Sequence, residues 1–232
     1  MFLSPFFARH SVQHRLQYAA VVLLMLGGSP SVNAEVIGLF STGVDDDGNL
    51  LAPGTIDPHY TVTLAPSSMD LATTNAIATL SPGWMAPPPA GSRFLGTGVD
   101  ASNTPAATPS GDYIFETTFE ISADPADVVL TGSIVVDDNL SAEVWINGTQ
   151  ALDSGAQFNL AEDFNITSAD ANFLLGTNTL ELRWSNTGDN VGGIAFGVTG
   201  SVVPEPSSFA FLGLIGVAGA VRYRRRQNSS KA

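Results

Sequence analysis

Apolar and polar side chains alternate with a period of two along much of this chain, and this constrains its fold more than any other feature. The clearest run is 113–121, where one face collects Tyr113, Phe115, Thr117, Phe119 and Ile121. The other face shows Ile114, Glu116, Thr118 and Glu120. Successive side chains of a β-strand point to opposite faces of its sheet, so the run predicts a strand with one face in a core.

Similar alternation predicts further strands at 36–40, 60–64, 128–136, 142–146, 179–185 and 194–198. Turn-forming residues separate them at 137–139, 147–148, 176–178 and 186–193. Asn147-Gly148 predicts a type I′ hairpin turn, because both residues tolerate a positive φ. No segment between 35 and 203 predicts a helix of three turns. Many short strands at this spacing predict an all-β domain, an antiparallel β-sandwich or jelly roll.

Two stretches are predicted to be long loops. The acidic segment 45–49 follows the first strand, and 81–110 is rich in Pro, Gly, Ala and Thr. Three consecutive prolines at 87–89 make the second loop locally extended.

The first 34 residues have the composition of a secretory signal peptide. Arg9 and Arg15 supply a positive start, 18–26 is apolar, and small residues at 32–34 place the cleavage after Ala34. The alternative is an uncleaved transmembrane helix, for which the apolar run is short. Export is therefore predicted.

The last 29 residues combine three elements in order: Pro204-Glu205-Pro206, an apolar segment at 207–221, and a basic tail at 222–232. As a helix, 15 residues span about 22 Å, short of a bilayer core of about 30 Å. Arginines that follow directly can reach the headgroups and reduce the deficit; they are Arg222, Arg224, Arg225 and Arg226. The segment predicts a single transmembrane helix with the basic tail inside the cell.

This arrangement resembles the PEP-CTERM sorting signal of bacterial envelope and exopolysaccharide-producing species. The resemblance rests on Pro204, Glu205 and Pro206, the glycines of the apolar run, and 222–226. It implies that an exosortase, a membrane-embedded transpeptidase, cuts near the motif and removes the tail. The precursor would then be membrane-anchored and the product would belong to the envelope or the extracellular space. The alternative is an ordinary tail anchor with an incidental Pro-Glu-Pro.

Without its two terminal segments the chain is strongly acidic. The 169 residues of 35–203 contain two basic residues, Arg93 and Arg183, against 21 acidic ones, a formal charge of −19. Nucleic acid is excluded as a partner because phosphate binding needs a basic surface. Divalent cations and neutral sugars remain open, and so does simple solubility outside the cell. The chain has no cysteine, so its core must hold it together without disulfides.

The order of features in 113–200 resembles galactose-binding-like jelly rolls, which often precede PEP-CTERM tails. The segments that carry this resemblance are 111–113, 136–138, 144–148 and 173–180. They are turn and core features, so the resemblance implies a fold rather than a ligand. Similar jelly rolls often carry a structural calcium ion.

Catalytic groups are scarce between 35 and 203. His59 is the one histidine, lysine is absent, and neither G-x-S-x-G nor H-E-x-x-H occurs. The acids could supply a glycosidase pair, but nothing in the sequence selects one. The prediction is a protein that is not an enzyme.

A calcium site is predicted at Asp45, Asp47 and Asn49, which have the one-three-five spacing of calcium loops. An EF-hand is excluded, because its sixth position needs glycine and Leu50 stands there. The second acidic cluster is 137–139. The alternative for both clusters is a solvated turn, in which Asp and Asn bond their own backbone.

Sugar binding is predicted around Trp145, Asn147, Asp137 and Asp138, with Trp84 as a second aromatic candidate. Alternation puts Trp145 on the face opposite Ala142, Val144 and Ile146, outside the core. The alternative is that each tryptophan packs under a loop or at a sheet edge.

The sequence thus predicts an exported, non-catalytic envelope or matrix protein that binds carbohydrate such as exopolysaccharide. Two alternatives remain open: a purely structural envelope or biofilm component without a small ligand, and, third, a glycan-active enzyme.

Overall fold

The computed structural model describes residues 36–83, 85–137, 142–155 and 157–203, which form two antiparallel β-sheets. Sheet 1 contains β1 (Val36–Ile37), β2 (Thr61–Leu64), β5 (Gly111–Ile121), β7 (Ala142–Ile146), β8 (Thr149–Ser154) and β10 (Gly176–Asn186). Sheet 2 contains β3 (Ile77–Thr79), β4 (Phe94–Gly96), β6 (Val128–Val136), β9 (Glu162–Thr167) and β11 (Ile194–Val202). The predicted all-β fold is confirmed.

The strand order is β1-β5-β10-β7-β8 in sheet 1, with β2 also paired to β5, and β3-β4-β11-β6-β9 in sheet 2. The central pair of sheet 1 is β5 with β10, in register over eleven residues from Gly111↔Asn186 to Ile121↔Gly176. The inward face of β5 is the one that alternation predicts, and all five of its predicted side chains are buried. Tyr113 stacks on Trp184 of β10, with ring centroids 4.7 Å apart.

The core lies between the two sheets. β6 and β11 pair over nine residues, and their inward side chains meet those of β5, β7 and β10 in one apolar cluster. Phe164 of β9 stacks on Phe196 of β11, with centroids 5.0 Å apart. Each large apolar side chain fully buried here contributes about 1.5–3 kcal/mol. This core replaces the disulfides that the chain lacks.

The hairpin between β7 and β8 turns at Asn147 and Gly148, as the sequence predicts. Their φ angles are 50° and 75°, and Ile146 pairs with Thr149 across the turn. Positive φ at both central residues is the signature of the type I′ turn, which follows the twist of the strands.

Two predictions near the N-terminal end of the domain were wrong in extent. The strand predicted at 36–40 contains only Val36 and Ile37, because Gly38 adopts a φ of 74° and ends it. The segment predicted as a long loop at 45–49 is a tight turn, closed by pairing of Val44 with Leu50.

The segment 81–110 is more structured than predicted. It contains β4, whose Leu95 pairs with Ile194 of β11, and Phe94 and Leu95 are fully buried. Met85 and Phe94 pack with Val135 and Ala195 in a second, smaller apolar cluster on the outer face of sheet 2. Met85 and Ala86 thus cover part of the outer face of sheet 2, while Thr131, Thr199 and Ser201 on the same face stay exposed.

Within the four described ranges, a 3₁₀ turn at Pro125–Asp127 is the sole helical element. None of these residues belongs to a helix long and apolar enough to cross a membrane. The predicted signal peptide at 1–34 with its cleavage at Ala34, the Pro204-Glu205-Pro206 motif, the transmembrane helix at 207–221 and the basic tail at 222–232 lie outside the described residues.

Candidate functional site

The outer face of sheet 1 presents polar side chains in rows across three strands. The strand register places Asp112 beside Ser185, Arg183 between Ile114 and Glu143, and Glu181 between Glu116 and Trp145. Side chains directly opposite each other in neighbouring strands lie about 4.5–5.5 Å apart at Cβ, so each row can act as one unit. The face therefore gathers a cation, several carboxylates, a hydroxyl and an aromatic ring.

Trp145 and Arg183 form the centre of this face. The Arg183 guanidinium lies over the Trp145 ring, 3.9 Å from the ring centroid. The same guanidinium binds Glu181, with Nε and Nη2 at 2.7 and 2.5 Å from Oε2. Trp145 Nε1 donates to Glu143 Oε2 at 2.6 Å. Alternation therefore predicted the outward direction of Trp145, but one face of its ring is covered by Arg183.

A shallow open groove of about 260 Å³ lies beside this centre. It is lined by Leu64, Asp112, Tyr113, Ile114, Glu143, Arg183, Trp184 and Ser185. Ser185 Oγ donates to the Asp112 carboxylate on one side of the groove. Ile114 and Leu64 provide apolar surface, while Glu143 and Arg183 supply an acceptor and donors. The volume is just below the about 300–1,000 Å³ typical of enclosed ligand pockets.

Asn147 is committed to holding the fold. Its side chain donates to Asn172 O at 2.8 Å and to Asn178 Oδ1 at 2.7 Å, and its Oδ1 accepts the Thr179 amide at 2.9 Å. Asn178 is itself buried. The amide of Asn147 thus fastens the hairpin turn to the loop before β10, and its predicted role in ligand binding stays a prediction.

Asp137, another predicted sugar-binding residue, is not among the residues that line the groove. Asp137 follows β6 and is buried, with its amide donating to Gly193 O at 2.8 Å. Asp138, Asn139 and Trp84 lie outside the described residues. Trp145 does not line the groove itself, but it contacts two residues that do, Glu143 and Arg183.

The predicted calcium loop has a structural role of its own. Asp45 Oδ1 accepts the amides of Asp47 and Asn49, at 3.0 and 2.8 Å. These bonds hold the pKa of Asp45 below its ordinary value, with the Asn49 amide the largest cause. Across the described ranges, no three acidic or histidine side chains converge as a metal site would need. The alternative of a turn that bonds its own backbone accounts for Asp45, and calcium binding stays a prediction.

Asp57 is a buried acid that sequence reasoning did not single out. Its carboxylate accepts three backbone amides, those of Gly43 at 2.6 Å, His59 at 2.8 Å and Tyr60 at 3.1 Å. Burial raises the pKa of Asp57, against the lowering effect of these donors. His59 stacks on Phe40 with centroids 3.6 Å apart, and its Nε2 lies 3.6 Å from Asp46. Asp57 thus connects the backbone at Gly43 to residues 59 and 60, directly before β2, and His59 packs there against Phe40.

Asp112, Arg183 and Ser185 border the groove but were missed as candidate site residues. Alternation assigns each of them to the outer face of its strand, and that signal was available. What the sequence does not show is the pairing of β5 with β10 and β7, which places them side by side. Strand register depends on contacts between segments that are distant in the chain.

The C-terminal motif decides how the chain is delivered. Residues 202–226 match the model of the PEP-CTERM protein-sorting motif. The chain carries this sorting signal. The match begins at Val202, the last residue of β11. The motif implies processing by an exosortase. It marks an exported, membrane-anchored precursor that is sorted to the envelope.

The other comparisons say less about the folded part of the chain. No curated protein matches the chain. A solved structure that resembles it is a GH31 alpha-xylosidase from Xanthomonas citri, at 12% identity and a TM-score of 0.29. The match covers 73% of this chain and 16% of the xylosidase chain. At this TM-score the similarity carries no argument about function.

Proposed function

We propose that this protein is a non-catalytic carbohydrate-binding component of the cell envelope or extracellular matrix, exported by its signal peptide and released from its tail by an exosortase. Its domain is a galactose-binding-like jelly roll, and the outer face of sheet 1 contacts the polysaccharide. The groove on sheet 1, where Asp112, Glu143, Arg183 and Ser185 surround apolar surface, is the observation that carries the binding proposal.

The groove has the chemistry that a neutral sugar needs. Hydroxyl groups both donate and accept, so carboxylates and a guanidinium within one groove can bind them in both directions. Arg183 uses two of its five N–H donors in the bonds to Glu181, which leaves donors for a ligand. The charge of −19 opposes binding of polyanionic polymers. The favoured ligand is therefore a neutral or weakly charged polysaccharide.

A binding test follows from the central position of Arg183. We expect the full-length chain in detergent to be retained on a neutral polysaccharide, and Arg183→Ala to weaken retention roughly tenfold or more, since bonds to a charged donor contribute about 1.5–3 kcal/mol. Trp145→Ala should also weaken retention, because it removes the ring over which the Arg183 guanidinium lies. Affinity electrophoresis in gels containing the polysaccharide measures both effects.

The matched control is Thr118→Ala. Thr118 lies on the same outer face of β5, exposed and away from the groove. Its retention should equal that of the unchanged chain. If no neutral glycan retains the unchanged chain, the purely structural role is favoured, and if purified protein cleaves a glycan, the non-catalytic proposal fails.

Processing has its own test. We expect the mature envelope protein to lack the residues after about Ser208, because the exosortase cuts near Pro204-Glu205-Pro206. Intact-mass measurement of protein from the envelope checks this result. A mass that still includes Arg226 would contradict processing and leave an uncleaved tail anchor.

A further inference from the structure

Three strand ends meet at one end of the domain. Val36 of β1 pairs with Ile121 of β5, and Ile121 pairs on its other side with Gly176, the first residue of β10. A Cβ on Gly200, near the end of β11, would lie 2.7 Å from the Cβ of Val36. The entry of the chain into the domain, the loop before β10 and the exit at Val203 are therefore neighbours.

This end exposes four large apolar side chains, here called the terminal apolar patch. Their exposed fractions are 49% for Ile37, 45% for Leu174, 69% for Leu175 and 58% for Val203. Single exposed apolar residues are ordinary, but several at one end of a domain indicate an interaction surface.

The loop that carries Leu174 and Leu175 is held in place. Asn178 is 1% exposed, and its Oδ1 accepts the Leu174 amide at 2.8 Å. Its Nδ2 donates to Leu174 O and Gly176 O, both at 2.8 Å. A buried amide with satisfied hydrogen bonds thus fixes a loop whose two leucines point away from the core, so their exposure is built into the fold.

We propose that the terminal apolar patch docks on the lipid surface of the membrane while the precursor is anchored. This inference rests on the exported, anchored precursor and is independent of glycan binding. The chain leaves the domain at Val203, and three residues, 204–206, precede the predicted membrane segment 207–221. Three extended residues reach at most about 11 Å, so the bilayer must lie close to this end.

Lipid fits the patch better than a second copy of the chain does. Exposed acids lie at the same end of the domain, namely Glu120, Asp124 and Asp170. Two such ends would bring like charges together, and each domain carries −19. A zwitterionic lipid surface meets the leucines without this repulsion. Docking would hold the domain at the membrane while the sorting motif is presented to the exosortase.

Because the chain has no cysteine, a single introduced cysteine can be labelled specifically. Leu175→Cys and Asn190→Cys each give a single attachment point for a fluorescent label on the full-length chain in phosphatidylcholine vesicles. Asn190 is exposed and lies beyond Asn186, the last residue of β10, at the opposite end of the domain. The eleven residues of β5 separate the two ends by about 36 Å.

We expect brominated lipids to quench the label at position 175 strongly and the label at position 190 little. With the label moved to Ile37→Cys, changing Leu174 and Leu175 to Glu should lower the ratio of docked to undocked protein roughly tenfold or more. Both leucines are exposed, so thermal unfolding should show that the variants remain folded.

Equal quenching at positions 175 and 190 would overturn the proposal, because a freely tumbling domain would give that result. So would a label at position 175 that lipid does not quench. Self-quenching that grows with protein concentration would identify a second copy as the occupant and would also overturn lipid docking. None of these outcomes bears on retention by polysaccharide, so the two proposals fail separately.

Discussion

Asp57→Ala is expected to lower the free energy of unfolding by about 3–5 kcal/mol. The substitution leaves three amides without their acceptor, those of Gly43, His59 and Tyr60. An unsatisfied buried donor costs about 1–3 kcal/mol, and removal of a buried charge offsets part of the sum. The loss is large against the total of about 5–15 kcal/mol that is typical of a domain. Urea unfolding followed by tryptophan fluorescence measures it.

Two further variants separate the loss of hydrogen-bond acceptors at Asp57 from the general effect of removing an acidic side chain. Asp57→Asn retains one acceptor oxygen, which can keep the two amides that share Oδ1, so its loss should be intermediate at about 1–3 kcal/mol. Asp47→Ala removes an exposed carboxylate ten residues earlier and should stay within about 0.5 kcal/mol of the unchanged chain. A loss below about 1 kcal/mol for Asp57→Ala would show that water replaces the carboxylate at these amides.

The role of Asp57 could not be predicted from the sequence. Nothing in the segment around it distinguishes this acid from the other 20 between 35 and 203. One of its three partners, Gly43, lies fourteen residues earlier, so the contact exists only once the first turns have folded. An acidic composition predicted solubility, whereas several of these acids accept the amides of their own turns, among them Asp45, Asp100, Asp124 and Asp170.

The long strands could be predicted, because period-two alternation over five or more residues reports the buried face directly. The Asn147 turn could be predicted for the same local reason. β3 and β4 have three residues each, too few for a period, and β4 lies in a segment that looks like a loop by composition. Leu95 is nevertheless fully buried, because it pairs with β11 at the centre of sheet 2.

The candidate site was predictable only in part. Trp145 was placed outside the core from the alternation of one strand. Its partners Arg183 and Glu181 come from β10, and the register that puts Glu181 opposite Trp145 is a property of the folded sheet.

Gly132→Ala is expected to cost about 4 kcal/mol or more and to reduce the yield of folded protein. Gly132 lies in the middle of β6, which pairs with β11 on one side and with β9 on the other. A Cβ at this position would lie 1.9 Å from Gly197 O and 2.8 Å from Phe164 Cζ. The first contact is with backbone of β11, so relief requires separating two paired central strands.

The matched control is Gly83→Ala, whose Cβ would meet nothing within 4 Å. Its unfolding midpoint should be unchanged or slightly raised, since alanine reduces the entropy of the unfolded chain. A second variant locates the clash at Gly132: combining Gly132→Ala with Phe164→Leu removes the ring but leaves Gly197 O in place. If backbone contact dominates, Gly132→Ala costs as much in the Phe164→Leu background as it does in the unchanged chain. A much smaller cost of Gly132→Ala in the Phe164→Leu background would instead assign the requirement for glycine to the Phe164 ring, and β6 and β11 would then tolerate a side chain between them.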